Sequence, residues 1–220
     1  MDINYFDSNI KIFFNEDNFK CAVNKSIRNG RIWERTLINI YKQYVNYNSV
    51  VLDIGANLGS HTIPLALMCN TVYSFEPQQK LFNLLKKTIE YNKLDNVKLF
   101  NNIVSSTSEE LDFNNTGCGR GGLSKYRPRL DGIITKENSI TIDSLNLVKC
   151  DFIKIDVEGA EFDVLDGAHK TISKYKPIII LETWKTKKNI LKLNTFCNRY
   201  NYSYNYISGD NYLLQYRNNN

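Results

Sequence analysis

The sequence has no hydrophobic run long enough to cross a membrane. Its longest apolar stretches, such as residues 178–181, have the length of a buried strand. Residues 1–4 also lack the basic segment followed by an apolar one that forms a secretion signal. We therefore expect no membrane span and no signal peptide, and a cytoplasmic protein.

Closely spaced cysteines are missing as well. Five are present, at positions far apart from one another: Cys21, Cys69, Cys118, Cys150 and Cys197. This odd number and wide spacing exclude the usual zinc-binding and CxxC patterns, so we expect reduced thiols. From the cysteines and histidines we predict no metal site.

A strong charge of either sign is also absent. The formal net charge is +5, from 28 basic and 23 acidic residues. Basic residues cluster only near residues 120–129 and 185–188. A nucleic-acid partner is therefore allowed by the charge but not favoured.

The remaining composition is that of an ordinary globular protein, with 42% hydrophobic and 23% charged residues. A chain of 220 residues is long enough for one domain with a full core. We predict a single domain, residues 1–220. Within it, residues 1–48 are an N-terminal extension with small strands and a helix, and residues 49–220 are the core.

Strand and helix patterns alternate along this core. Apolar strand patterns are predicted at residues 50–54, 71–75, 96–100, 152–155 and 178–181, and helical patterns near 60–67, 78–91, 161–175 and 187–200. Residues 202–207 and 212–216 predict a closing hairpin. This order indicates an α/β fold with a doubly wound, mainly parallel seven-stranded sheet and a C-terminal antiparallel hairpin.

Three further segments are less regular. In the extension we predict strands near residues 10–14 and 20–23 and a helix near 33–44. Residues 109–113 predict an extra strand, and residues 139–142 a short one. The glycine- and arginine-rich segment 114–131 predicts a long loop, and we expect the region up to Asn138 to contribute to substrate binding.

Polar residues follow several of the predicted parallel strands, where α/β proteins bind ligands. The first strand runs into a turn, Asp53-Ile-Gly55-Ala-Asn57-Leu-Gly59, in which the glycines permit close approach of the backbone. Asn57 occupies the place of the second glycine of a dinucleotide fingerprint, which favours a ligand without a pyrophosphate. Glu76 ends the next strand, where a carboxylate can accept hydrogen bonds from ribose hydroxyls.

Two more strand ends contain acidic residues. Residues 154–161, KIDVEGAE, follow the fourth core strand, and Glu182 ends the fifth. With VLDIGANLGSHT, YSFEPQ, ITIDSL, FIKIDVEGAEFDVLDGA and IIILET in this order, the chain resembles the FkbM-type methyltransferases. The resemblance runs from about Trp33 to Thr183, and IDVEGAE is its most specific part.

The resemblance implies a class I Rossmann-like methyltransferase that moves the methyl group of S-adenosylmethionine onto oxygen, often of a sugar. The residues that match the cofactor-binding positions are Asp53, Gly55, Asn57 and Gly59 for the methionine part, Glu76 for the ribose and Asn102 for the adenine. The acceptor implied is a sugar, a nucleotide sugar or a glycan.

Methyl transfer to a hydroxyl also requires removal of its proton. Asp156, Glu158 and Glu182 are the candidate bases, with Lys154 tuning one of them, and we favour Asp156. The same three acids are alternatives as Mg²⁺ ligands, but their spacing is not diagnostic and we do not expect a metal. For His61 we prefer a helix-surface or capping role over that of a base.

Two other functions stay open. Ribose 2′-O-methylation of RNA, as at a cap, is consistent with the Lys154/Asp156 pair and with the basic segment containing Arg120, Arg127 and Arg129. The second alternative is not an enzyme but a scaffold protein that keeps the nucleoside pocket.

Overall fold

The computed structural model describes residues 1–14, 21–117, 120–128 and 132–218. In its described residues, the N-terminal extension forms two strands and two helices: β1 (Asp2–Tyr5), β2 (Ser8–Lys11), α1 (Ala22–Arg28) and α2 (Arg35–Tyr44). The predicted helix near residues 33–44 is confirmed, but the predicted strand near residues 20–23 is wrong. Ala22 begins α1, which buries Asn24 and Ile27 at helical spacing on one face.

Alternating strands and helices follow, as predicted. They are β3 (Val50–Ile54), α3 (Thr62–Ala66), β4 (Thr71–Phe75), α4 (Gln79–Tyr91) and β5 (Val97–Phe100). Pro64 lies in the first turn of the short helix α3, where a missing N–H is tolerated.

The next segment forms a small sheet that the sequence predicted only in part. Its strands are β6 (Ile103–Val104), β7 (Glu110–Asn115), β8 (Gly122–Leu123) and β9 (Ile133–Ile140), and a 3₁₀ turn at Ile142–Leu145 follows. β9 pairs with β7 through six registered residue pairs, from Glu110↔Asn138 to Asn115↔Ile133. The sequence did not predict a strand over residues 133–138, because the alternating exposed side chains of β9 give no apolar pattern. The predicted loop at residues 114–131 contains the short strand β8.

The last part of the chain completes the main sheet. Its elements are β10 (Phe152–Ile155), α5 (Glu161–Asp166), α6 (His169–Tyr175), β11 (Ile178–Glu182), α7 (Lys187–Tyr200), β12 (Tyr202–Ser208) and β13 (Asn211–Tyr216). The single helix predicted at residues 161–175 is divided in two at Gly167 and Ala168. An added Cβ at Gly167 would lie 2.1 Å from the Ser105 carbonyl oxygen, so the chain passes close to the small sheet there.

The main sheet has seven strands in the order β12-β13-β11-β10-β3-β4-β5. β11, β10, β3, β4 and β5 are parallel, and β13 and β12 form the antiparallel hairpin at one edge. The strand order reverses between β3 and β10, which is where doubly wound folds bind ligands. The predicted α/β architecture is confirmed.

Both faces of the sheet are covered by apolar side chains, as parallel sheets require. Val51, Phe152 and Ile180 pack on one face with α2 and α3, and Leu52 and Ile153 pack on the other. Because side chains alternate along a strand, Asp53 and Lys154 lie on the same face as Val51 and Phe152. The register pairs Asp53 directly with Lys154, so a carboxylate and an ammonium are buried side by side.

None of the helices in the described ranges is long and apolar enough to span a bilayer.

Candidate active site

Two adjoining cavities lie at the carboxyl ends of β3, β4, β10 and β11. The first is lined by residues of the 55–57 turn, by Glu76, and by the small sheet. The second has a volume of about 200 Å³ and extends toward α1 and the start of α2. Asn57, Asp156 and Glu158 line both cavities, so a ligand in one would meet a ligand in the other at these residues.

The turn after β3 forms the floor of the first cavity. Gly55 has φ +87°, and an added Cβ would lie 1.8 Å from the Asp156 carbonyl oxygen, so only glycine fits there. Gly59 also has φ +87°, but its Cβ position faces Leu85 of α4. Gly59 lines neither cavity. It instead allows α4 to pack closely against this turn.

Glu76 is buried and fixed by two backbone donors. The Asn57 N–H donates to Oε2 at 2.9 Å and the Gln78 N–H donates to Oε1 at 2.9 Å. Burial raises the pKa of the Glu76 carboxyl to about 7, against the effect of these donors. The buried Asn57 Oδ1 has no hydrogen-bond partner within the part of the chain that the structure describes, which leaves one acceptor for a ligand.

The outer wall of the first cavity comes from Asn102 and from the small sheet. The Asn102 side chain donates to the Asn138 carbonyl oxygen at 3.3 Å and lines the cavity. Phe113 and Leu123 add an apolar surface that was not predicted from the sequence. These two residues face each other across β7 and β8, a pairing that no local pattern signals.

Lys154 is the centre of a buried group of charges. Its Nζ donates to Asp156 Oδ2 at 3.1 Å and lies 4.0 Å from Asp53 Oδ1. Asp53 is also buried, accepts a hydrogen bond from Thr62 Oγ1 at 2.6 Å and lines neither cavity. Burial by itself lowers the pKa of Lys154, but the negative charges of Asp156 and Asp53 have the larger combined effect and raise this pKa above its usual value. Lys154 is therefore expected to be protonated at neutral pH, and its ion pair orients Asp156.

Glu158 and Glu182 complete the acidic lining of the second cavity. The Glu158 carboxylate forms an ion pair with Arg127 at 2.8 Å, and the Arg127 guanidinium lies over the Trp184 ring. Burial raises the pKa of Glu158 to about 7. Burial, and then the charge of Asp156, raises the pKa of Glu182 well above its usual range. Glu182 is thus expected to hold a proton at neutral pH.

The neighbouring acid Glu161 has a structural contact. Its Oε1 accepts a hydrogen bond from the Gly159 N–H at 2.7 Å, which stabilises the turn before α5.

The N-terminal extension contributes residues to the second cavity that no sequence motif indicated. Trp33 and Glu34 lie on its wall, together with Arg120. His61 was expected on a helix surface or as a cap, but it is buried and makes no capping bond. It joins Tyr41 to Glu34 instead, because Nδ1 pairs with the Tyr41 hydroxyl at 2.8 Å and Nε2 with Glu34 Oε2 at 3.0 Å.

Within the described ranges, no three His, Cys, Asp or Glu side chains are grouped so that they could hold a metal ion.

Comparison with known proteins identifies similar sequences. The profile of the Methyltransferase FkbM domain matches residues 53–204. A hexuronic acid methyltransferase, AglP of Haloferax volcanii, is 24% identical over 173 residues, which are 73% of this chain and 67% of that protein. The 2-O-methyltransferase NoeI of Sinorhizobium fredii is 27% identical over 162 residues, which are 62% of this chain and 66% of that protein.

A solved structure shows the same fold. The crystal structure of an FkbM methyltransferase from Methylobacillus flagellatus matches with a TM-score of 0.59 and 17% identity, over 81% of this chain and 50% of the other. The chain thus spans about two thirds of the length of the two curated relatives and half the length of this structure.

Proposed function

The chain belongs to the FkbM family of S-adenosylmethionine-dependent methyltransferases, and from this premise we propose that it methylates a hydroxyl group of a sugar or of a glycan-linked sugar. The observation that supports this most is the meeting of the two cavities at Asn57, Asp156 and Glu158. The names of the two curated relatives, one a hexuronic acid methyltransferase and one a 2-O-methyltransferase, support a sugar acceptor.

The donors and acceptors of the first cavity fit the cofactor. Glu76 would accept hydrogen bonds from the ribose hydroxyls, and the unpartnered Asn57 Oδ1 and the close backbone at Gly55 would receive the methionine part. Phe113, Leu123 and Asn102 offer an apolar wall with one amide for the adenine. When bound, S-adenosylmethionine supplies an electrophilic methyl group on a sulfonium ion.

The second cavity would hold the acceptor hydroxyl against this methyl group. We propose that Asp156 takes the hydroxyl proton as the oxygen attacks, because Asp156 lines both cavities. Lys154 occupies Asp156 Oδ2, which leaves Oδ1 available for the proton. The fixed ion pair would hold the base in place at no cost of reorganisation during the reaction.

Ribose methylation of RNA is the less favoured alternative. The carboxylates of Glu34 and Asp156 line the second cavity and would repel a phosphate backbone, whereas Glu158 is paired with Arg127 and Glu182 is expected to be neutral. Lys154 is buried with its pKa raised, so it is not available as a neutral amine base.

A screen of acceptors tests the proposal. The protein is incubated with methyl-labelled S-adenosylmethionine and each of a sugar panel: p-nitrophenyl β-glucuronide, p-nitrophenyl β-galacturonide, p-nitrophenyl β-glucoside and UDP-glucuronic acid. A capped RNA oligonucleotide is included. Label in a sugar is the expected result. Label in RNA alone would replace the proposal by RNA methylation, and cofactor binding without any transfer would favour the scaffold alternative.

Glu76→Gln is expected to weaken cofactor binding by about 1–3 kcal/mol, since the substitution removes charge-assisted hydrogen bonds. Because the pKa of Glu76 is raised to about 7, its carboxylate is ionised above that value and is lost as the pH falls. Wild-type affinity should therefore decrease from pH 8 to pH 6, and the affinity of the variant should change less. Calorimetry with S-adenosylhomocysteine measures both. Unchanged affinity in the variant would limit Glu76 to holding the Asn57 turn.

Arg120→Ala is expected to raise the KM for a uronic acid acceptor by about five- to twentyfold, because Arg120 is an exposed cation on the rim of the second cavity. The KM for a neutral glucoside should not change, and neither should cofactor affinity. Arg199→Ala, an exposed arginine elsewhere, is the matched control. Equal KM changes for charged and neutral sugars would exclude a role in recognising the carboxylate. The other two arginines of the basic segment are left unchanged in this experiment, because Arg127 is paired with Glu158 and Arg129 lies outside the described residues.

A further inference from the structure

Two side chains from distant parts of the chain fix the Glu34 carboxylate. Its Oε2 accepts from His61 Nε2 at 3.0 Å, and its Oε1 accepts from Asn211 Nδ2 at 3.0 Å. His61 precedes α3, and Asn211 begins β13. Both partners are buried, and the buried Tyr41 holds the far side of the His61 ring. The carboxylate therefore has one defined orientation.

The backbone at Glu34 is held in an unusual conformation. Its φ of 44° and ψ of 50° lie in the left-handed region, which a residue with a long side chain rarely adopts. Such a conformation costs free energy and persists only where surrounding contacts determine it. At Glu34 the conformation precedes α2 and directs the side chain to His61 and Asn211.

The Glu34 carboxylate keeps acceptor capacity on the side of the second cavity. An ionised carboxylate has about four lone-pair positions, and His61 and Asn211 use two of them. The side chain remains 23% exposed, and Glu34 lines the second cavity. Burial alone would raise the pKa of Glu34, but His61, Lys154 and Asn211 together lower it, so the group is an acceptor at neutral pH.

The other acids of this cavity have different partners or states. Asp156 is bound to Lys154, and Glu158 is paired with Arg127. Glu182 has a raised pKa and is expected to be a donor. Glu34 is thus the oriented, ionised acceptor that is not paired with a lysine or arginine at hydrogen-bond distance among the described residues.

We propose that Glu34 determines acceptor specificity by accepting a hydrogen bond from a second hydroxyl group of the acceptor sugar, next to the hydroxyl that is methylated. This inference rests on the proposed function, and it adds a residue that precedes the family match at residues 53–204. A sugar ring offers adjacent hydroxyls, each able to donate. One would face Asp156 and the other Glu34, so that only one hydroxyl of the ring is presented to the methyl group.

The test combines Glu34→Gln with sugars that lack single hydroxyls. The panel member that wild-type protein methylates best is compared with its monodeoxy analogues, each lacking one hydroxyl adjacent to the methylated position. We expect one analogue to lower kcat/KM of the wild type by about 10- to 100-fold, as for a hydrogen bond to a charged group. E34Q should show a similar loss with the parent sugar and little further loss with that analogue, because the two changes remove the same contact.

The controls separate recognition from folding. S-adenosylhomocysteine affinity should change little in E34Q, and a cooperative thermal transition should show that the variant folds. Glu90→Gln, an exposed glutamate on α4, should leave kinetics unchanged. If E34Q does not fold, the wild-type kcat/KM values with the deoxy analogues still test the inference. Equal values for the parent sugar and every analogue would overturn it. Glu34→Asp, which keeps the charge and tolerates a left-handed backbone, should then retain the preference for the same hydroxyl.

Three results contradict the inference in distinguishable ways. Wild-type KM in E34Q, or equal additional losses with all analogues, would overturn it and leave sugar methylation intact. Failure of the wild type to methylate any sugar of the panel would reject the proposed function and this inference with it. That failure is visible in the wild type before any variant is compared.

Discussion

Asp156→Asn is expected to lower kcat by about a hundredfold or more. A sugar hydroxyl holds its proton far above neutral pH, and a positioned base contributes on the order of 10²–10⁴ in rate. The substitution keeps the shape of the side chain and removes its basicity. Cofactor affinity should remain nearly unchanged, because the lost interaction acts mainly in the transition state. Single-turnover kinetics with labelled cofactor, together with calorimetry, measure the two effects separately.

The neighbouring acids are the matched controls for this experiment. Glu158→Gln and Glu182→Gln change the same functional group in the same cavity. A larger loss of kcat at either would transfer the role of base to that residue. Full activity in Asp156→Asn would end its assignment. Restoration of activity by added Mg²⁺ in all three variants would identify the acids as metal ligands instead.

Lys154→Met should reduce the free energy of unfolding by about 3–5 kcal/mol. The ammonium is buried and compensates the buried Asp53 and the half-buried Asp156, so its removal leaves carboxylates uncompensated in the protein interior. For a domain of this size the melting temperature should fall by about 6–20 °C. Lys86→Met removes an exposed lysine of α4 and should cost no more than about 0.5 kcal/mol.

The stability difference at Lys154 should also depend on pH with a defined sign. In the variant, the carboxylates that lost their cation bind protons more readily when folded than when unfolded. The free energy of unfolding of the variant is therefore lowered at a pH where these groups are ionised, and this loss becomes smaller as the pH falls. The difference from wild type should be largest at neutral pH and shrink as the pH falls toward about 4, the usual pKa of aspartate in an unfolded chain. A difference independent of pH would show that lost packing, and not charge, destabilises the variant.

Much of the architecture could be predicted because it depends on patterns of neighbouring residues. The five parallel strands are short apolar runs with clear limits, and α4 between β4 and β5 has a repeating apolar face. Strand ends then indicated Gly55, Glu76 and Asp156, because parallel strands end at the same edge of a sheet. Their roles in binding and catalysis stay predictions.

The small sheet and the first 48 residues were predicted less well. β9 has mainly exposed or half-exposed side chains, so its pairing with β7 left no periodic apolar signal. Residues 20–23 contain too few positions to distinguish a strand from the first turn of a helix.

The sequence by itself determined the order of the core strands and of the helices between them, the family, and the residues at the strand ends, because each depends on short segments. Only the tertiary structure brought Glu34 to His61 and to Asn211, which is 177 positions away in the chain. It also decided that Lys154 is a buried cation between Asp53 and Asp156. These contacts depend on packing between distant elements and on burial, which sets the charge of each acid, and no local pattern of residues contains that information.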